Sequence, residues 1–471
     1  MAKKYFDNYK LTIAIEYLFG SIKVNECLPI HDVINLESGD TLPKHQMKEG
    51  IYYVYGGGGK TENQHNKFNI DFDTIGIGRV GARCGCVFNI EKRSWVTDNL
   101  LYVKEFDKRF SLNFLKHFLS YSNLNKYANN AMQPVISKTG IQSIKIPLLD
   151  YEKQLEIGCF IDEVENDNFN NVTKFPLLNE KFNLLDKIDV LNEENQVQSQ
   201  LLAKLKQSIL QEAIQGKLTS EWRKQNPNTE PAAELLKRIE VKKEKLIKEK
   251  KIKKEKPLLP IAKEEIPFEL PEGWEWCRLG EICHRIHYGF TASAKPEKQE
   301  VRLLRITDIQ ENKVDWDTVP GCDFTQSDID NYLLSKDDIV IARTGGTIGK
   351  TFLVNEIPVK SLFASYLIRA VPSNYISPKF LKIFMESPIY WQQLYDAAWG
   401  AGQPNVNATS LSNLIVPFPS HSEQQAIVEK VEVLLEKCSQ LQAEIENQNK
   451  YSKDLLKALF NETFGGKETY E

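Results

Sequence analysis

The sequence predicts an α+β protein: two duplicated α/β globular domains separated by a long antiparallel helical coiled-coil spacer. Three observations carry that expectation. Blocks of residues recur in the same order in both halves. Each repeat closes on apolar residues that step by alternating fours and threes. A chain of 471 residues also exceeds one ordinary hydrophobic core.

Residues 1–20 precede the repeats as an N-terminal segment. The first globular domain is expected over 21–150, with short β-rich runs such as Ile51-Tyr52-Tyr53-Val54-Tyr55, glycine-rich turns, and one amphipathic helix near 112–127. A helical region follows over 151–256. Its seam runs through Leu184, Ile188, Leu191, Asn195, Gln198, Leu202, Leu205 and Ile209, and Gly216 ends it. About twenty residues near 166–183 have no counterpart in the second repeat and read as a loop. From Lys237 to Lys256 eleven basic and four acidic residues read as a solvated helix or a phosphate-touching one. The prolines of 257–271 predict a stiff, extended linker.

The second globular domain is expected over 272–420, with its amphipathic helix near 378–395, and a second helical region over 421–471. There the seam is Ile427, Val431, Leu434, Cys438, Leu441, Ile445, Gln448, Ser452, Leu455 and Leu459, closed by Gly465-Gly466. Two similar halves in one chain are most simply related by a pseudo-twofold axis, so the seams should run antiparallel with their polar midpoints together.

The repeats are detailed. Gln133-Pro134 and Pro147 recur as Gln403-Pro404 and Pro417, and Gln154 recurs as Gln424. DTIGIGRVGARCG (73–85) aligns with DDIVIARTGGTIG (337–349), which places Arg79 on Arg343. Each arginine stands at a strand end and the mouth of a glycine loop. Its planar fork suits guanine or phosphate, and a structural ion pair to Asp73 or Asp337 is the alternative. The Gln-Pro loops offer Gln133, Ser137 and Lys138, then Gln403, Asn405 and Asn407, and amides can pair with adenine. Tyr55, Lys60, Arg83, Lys92 and Arg93 complete a candidate first surface; Arg302, Arg305 and Lys350 belong to the second.

No catalytic pattern matches this inventory. GGTIGKT (345–351) resembles a phosphate-binding loop, but the required first glycine falls on Thr344. It supports only an alternative reading as a nucleotide-dependent enzyme or nuclease. The eight cysteines lack metal-site spacing, and no run approaches the ~20 apolar residues of a membrane span. A reducing cytoplasm is expected. Net charge is −4, with sixteen basic and thirteen acidic residues in 21–150 and fourteen against seventeen in 272–420. Neither domain can hold DNA by net charge alone, which points to a basic partner.

The duplicated plan, the repeated passages 133–154 and 403–425, the run Leu270-Pro271-Glu272-Gly273-Trp274 and the segment ILQEAIQGKL (209–218) together resemble the specificity subunits of type I restriction–modification systems. The resemblance implies two target recognition domains, each reading half of a split double-stranded DNA site. It implies helices that dock two modification (methyltransferase) subunits, and two restriction (motor–nuclease) subunits joining for cleavage. S-adenosylmethionine would sit in the modification subunits, with no cofactor in this chain.

Overall fold

A computed structural model describes residues 9–22, 26–129, 134–166, 174–254, 257–296, 300–398 and 406–464. The chain divides into two compact units, 1–195 with 448–471, and 196–447. Both boundaries fall inside the long helices Pro176–Ile214 and His421–Phe464.

In the first unit a four-stranded antiparallel sheet has the order Ile34–Ser38, Leu100–Phe106, Thr74–Gly78, Val87–Ile90. In the second the order is Cys283–Tyr288, Leu367–Pro372, Ile339–Ala342, Thr351–Leu353. These are the same strands of the repeat in the same order, so the duplication read from the sequence extends to topology. The inner strands Thr74–Gly78 and Ile339–Ala342 are buried at every position. Their short uninterrupted apolar runs fit strands covered on both faces. Each unit adds a two-stranded ribbon, Cys27–Pro29 with Lys145–Pro147 and Glu275–Arg278 with Ile415–Phe418. Each also has a parallel pair, Tyr52–Gly56 with Trp95–Val96 and Arg302–Leu304 with Ser361–Phe363.

The amphipathic helices are Leu112–Tyr121 and Pro378–Glu386, capped by the hydroxyls of Ser111 and Ser377. One buried glutamine anchors each helix start. Ser111 donates its backbone N–H to Gln154 Oε1 (2.9 Å), and Gln154 Nε2 donates to the carbonyls of Arg109 and Leu149. Ser377 N–H meets Gln424 Oε1 (2.7 Å) in the same way, and Gln424 Nε2 donates to Tyr375 and Pro419.

Within the first unit the long helices pair antiparallel: Lys181 bridges to Glu462, Asn192 accepts from Ser452, and Asn195 donates to Asn449. The polar midpoints do meet. In the second unit the buried Glu423 carboxylate accepts from Thr219, Arg223 and Trp274 Nε1, tying the end of one helix region to the start of the other.

Half of the seam differs from expectation. Ile188, Asn195, Leu202 and Ile209 are buried, as are Cys438, Ile445, Ser452 and Leu459. Gln198, Leu205, Leu441 and Leu455 are exposed instead. The intervening contacts fall one residue later, at Leu185, Asn192 and Asn449.

Three other segments also depart from expectation. Of the stretch read as a loop, residues 176–183 are helical, and Leu178 and Phe182 lie in the core. Residues 237–248 of the Lys/Glu run lie in the helix Ala232–Lys248, which buries Ala232, Leu235 and Ile239 on one face. The proline linker is no free strut: the buried Arg278 donates to the carbonyls of Leu259 and Pro260 and to the Glu265 carboxylate. The N-terminal segment contributes the helix Tyr9–Gly20, which buries Ile13, Leu18 and Phe19 in the first core and sets Tyr9 against Phe460 at 5.4 Å. Gly465 and Gly466 lie outside the described residues.

Replacing Gln154 or Gln424 with leucine strands one buried N–H and two carbonyls. Each variant should lose about 2–4 kcal/mol of stability. Denaturant unfolding checks this, and an unchanged midpoint would remove the anchoring role.

Candidate nucleic-acid interface

A hairpin connection follows each inner strand, and glycines make it possible. Gly81 and Gly85 have φ +85° and +85°, and Gly345 and Gly349 have +76° and +79°. The loop is closed by Gly85 N–H on Gly78 O (2.7 Å) and by Gly349 N–H on Ala342 O (2.8 Å). A Cβ at Gly85 would meet the Asn125 backbone nitrogen at 2.7 Å, and one at Gly349 would run into the Leu394 side chain.

Arg79 and Arg343 sit at the mouths of these loops with identical main-chain bonding. Arg79 N–H donates to Asn99 O and Arg343 N–H to Tyr366 O. Their carbonyls accept from Ile136 and Val406, so each Gln-Pro loop closes on its own arginine. The side chains lean on matching positions at the end of the sheet's first strand. Arg79 Nη1 donates to Ser38 Oγ (3.1 Å), whereas the Arg343 guanidinium lies over the Tyr288 ring at 4.6 Å. In both arginines Nε is buried without a partner among the described residues.

The ion-pair alternative does not hold among the described contacts. Asp73 accepts from the Lys92 backbone N–H (2.8 Å), and the neighbour of Asp337, Asp338, pairs with Arg369 (2.7 Å). Burial pushes the Asp338 carboxyl above its ordinary range against the pull of Arg369.

The other sequence candidates divide by environment. Tyr55 is buried with its hydroxyl near Glu91 (3.4 Å), and Arg302 is buried with Nη1 on Val319 O (3.0 Å). Both face the interior. Lys60 is held by Glu91 (2.9 Å) over the Tyr53 ring, Arg93 by Asp71 (3.3 Å), and Arg305 by Asp308 (2.7 Å). Arg83 is exposed and donates to Gly58 O, joining the Tyr55–Lys60 hairpin to the arginine loop. Lys92, Ser137, Lys138 and Lys350 are exposed. Asn407 is exposed and caps a short helix by accepting from Ser410 N–H (2.8 Å). Gln133, Gln403 and Asn405 lie outside the described residues.

Sequence reasoning missed the residues around the arginines: Ser38, Tyr288, Asn99 and Tyr366. A signal existed for the last two, because SWVTDNL (94–100) and SLFASYL (361–367) keep one offset through both parallel pairs.

The phosphate-loop alternative fails on geometry. A strand, Thr351–Leu353, follows Gly349-Lys350, and the buried Tyr390 hydroxyl donates to Gly349 O (2.9 Å). No helix N-terminus stands there to receive phosphates. Among the described residues there is no metal-ligating cluster and no helix long and apolar enough to cross a membrane.

A family model for the type I restriction modification DNA specificity domain matches residues 25–180 and 271–450. The chain is 39% identical over 243 residues to the type I restriction enzyme EcoAI specificity subunit of Escherichia coli, covering 50% of this chain and 40% of that protein. It is 33% identical over 271 residues to the EcoEI specificity subunit of Escherichia coli, covering 54% and 44%. The match therefore spans less than half of either relative. A solved structure concerned with complex assembly and conformational transition of the type I R-M system shares 14% identity, with a TM-score of 0.48, over 95% of this chain and 100% of that one.

Gly85→Ala and Gly349→Ala should each cost about 1–2 kcal/mol from the left-handed backbone alone, with crowding added. Gly346→Ala, which meets nothing within 4 Å, should be neutral. Thermal melting of the three variants checks the ordering, and equal midpoints would contradict it.

Proposed function

Because this chain belongs to the type I restriction–modification DNA specificity family, we propose that it is the DNA-recognising subunit of such a system. Each unit reads one half of a bipartite double-stranded site. The long helices dock two modification subunits, which bind S-adenosylmethionine and carry out methyl transfer. Two restriction subunits join where the complex cleaves. This chain holds no cofactor and works in the cytoplasm, where its DNA is.

The observation that carries this reading is the repetition of one arginine–glycine loop, with the same main-chain hydrogen bonds, in two separate units. A single active centre has no need of two such copies. A split recognition site has, because each half needs a surface with its own side chains. With a net charge of −4 the chain has little capacity to neutralise phosphates, so partner subunits supply most of the non-specific affinity.

The purified chain alone should bind DNA weakly and transfer no methyl group; with modification subunits and S-adenosylmethionine, methylation should appear at one split sequence. Methyl transfer by the single chain would refute the assignment.

Arg79→Ala should weaken recognition of one half-site and Arg343→Ala the other. Loss of a base contact should cost about 1–3 kcal/mol and relax preference at one position. Loss of a phosphate contact should weaken all sequences alike and flatten the salt dependence by about one unit. Binding to the full site, each half-mutated site and random DNA at two salt concentrations separates these outcomes. Equal losses at both half-sites from either mutation would defeat the claim that each unit reads its own half.

A further inference from the structure

Ahead of the strand next to each inner strand, the chain makes a tight turn: Thr97-Asp98-Asn99-Leu100 in the first unit and Ala364-Ser365-Tyr366-Leu367 in the second. Leu100 N–H donates to Thr97 O (3.3 Å), and Leu367 N–H to Ala364 O (2.8 Å). The turns also start alike, with Thr97 N–H on Tyr55 O and Ala364 N–H on Leu304 O. In both, the third residue uses its carbonyl to hold the arginine of its loop. Its side chain serves nothing in the fold: Asn99 is exposed, Tyr366 is 63% exposed, and neither side chain makes a hydrogen bond among the described contacts.

We infer that the third residue of this turn is a base-reading residue that makes the two half-sites differ. The inference rests on the DNA-reading function proposed above and adds the residues that discriminate. The main chain fixes where each side chain stands, beside an arginine whose Nε has no partner among the described residues. The chemistry at that point differs between units. Asn99 presents one donor and one acceptor on a planar amide, which matches N7 and N6–H of adenine. Tyr366 presents an aromatic face, which matches the C5 methyl of thymine. Because residue 99 or 366 supports its turn through backbone atoms, its side chain can change without disturbing the arginine behind it.

The test uses the full chain assembled with its modification subunits. Selection from a randomised DNA library first defines the split site of the wild type, then those of Asn99→Ala and Tyr366→Ala. Each variant should lose discrimination at one position of one half-site by about ten-fold or more, leaving the other half and the salt slope unchanged. In the wild type, deoxyuridine in place of the thymine read by Tyr366 should reproduce the loss, and in Tyr366→Ala it should add nothing. Variants that keep the wild-type preferences, or that weaken every sequence equally, would overturn the inference while leaving the DNA-reading function intact. A wild-type complex that selects no split site would overturn both.

Discussion

In each unit one fully buried amide ties together two segments, 109–111 with 149–154 and 375–377 with 419–424. Gln154 and Gln424 each take the N–H of a helix-capping serine and return two N–H groups to carbonyls of flanking segments. No other side chain of that size offers an acceptor and two donors in one plane. A leucine would satisfy none of the three partners, and a carboxylate would keep only the acceptor. The helix that begins there sends Phe114 and Leu115, or Phe380 and Leu381, into the core against the sheet. The sheet in turn fixes the strand end from which the arginine loop leaves. An unsatisfied buried polar group costs about 1–3 kcal/mol, so the geometry is enforced from the interior outward.

The duplication was legible because it leaves identical residues at fixed offsets where the backbone demands them. Gly81, Gly85, Gly345 and Gly349 all prove to have positive φ. The heptad period was legible too, and its phase at every second seam position. Leu191 and Asn192 are neighbours: the leucine is half-buried, while the exposed asparagine is the one that accepts from Ser452. That partner is 260 residues away, beyond any local pattern. Tyr55 was misjudged for a different reason. A bulge between Tyr53 and Tyr55 breaks the alternation that would have turned it outward. The arginines were found through the repeat, whereas Ser38, 41 residues from Arg79, carries no motif that announces the contact.

The proposed DNA-reading role asks a chain of slight negative charge to meet a polyanion. Lys60 and Arg93 are engaged with carboxylates in exposed pairs, whereas Arg305 is held by an Asp308 carboxylate that is itself buried. Pairs at the surface are worth only about 0–1 kcal/mol. Exchanging the Glu91 or Asp71 carboxylate for a phosphate would therefore cost little. Arg278 and Glu423 belong to a different class. They are buried, each gathers several partners, and they tie segments of the second unit together.

The turn that carries Asn99 or Tyr366 separates what folds from what varies. The atoms that hold the turn are common to every amino acid, while the side chain projects into solvent. A single codon change at either place alters surface chemistry at almost no cost to folding. Each unit has its own core. On the base-reading role inferred above, the preference of either unit can change one codon at a time while the backbone that presents it stays the same.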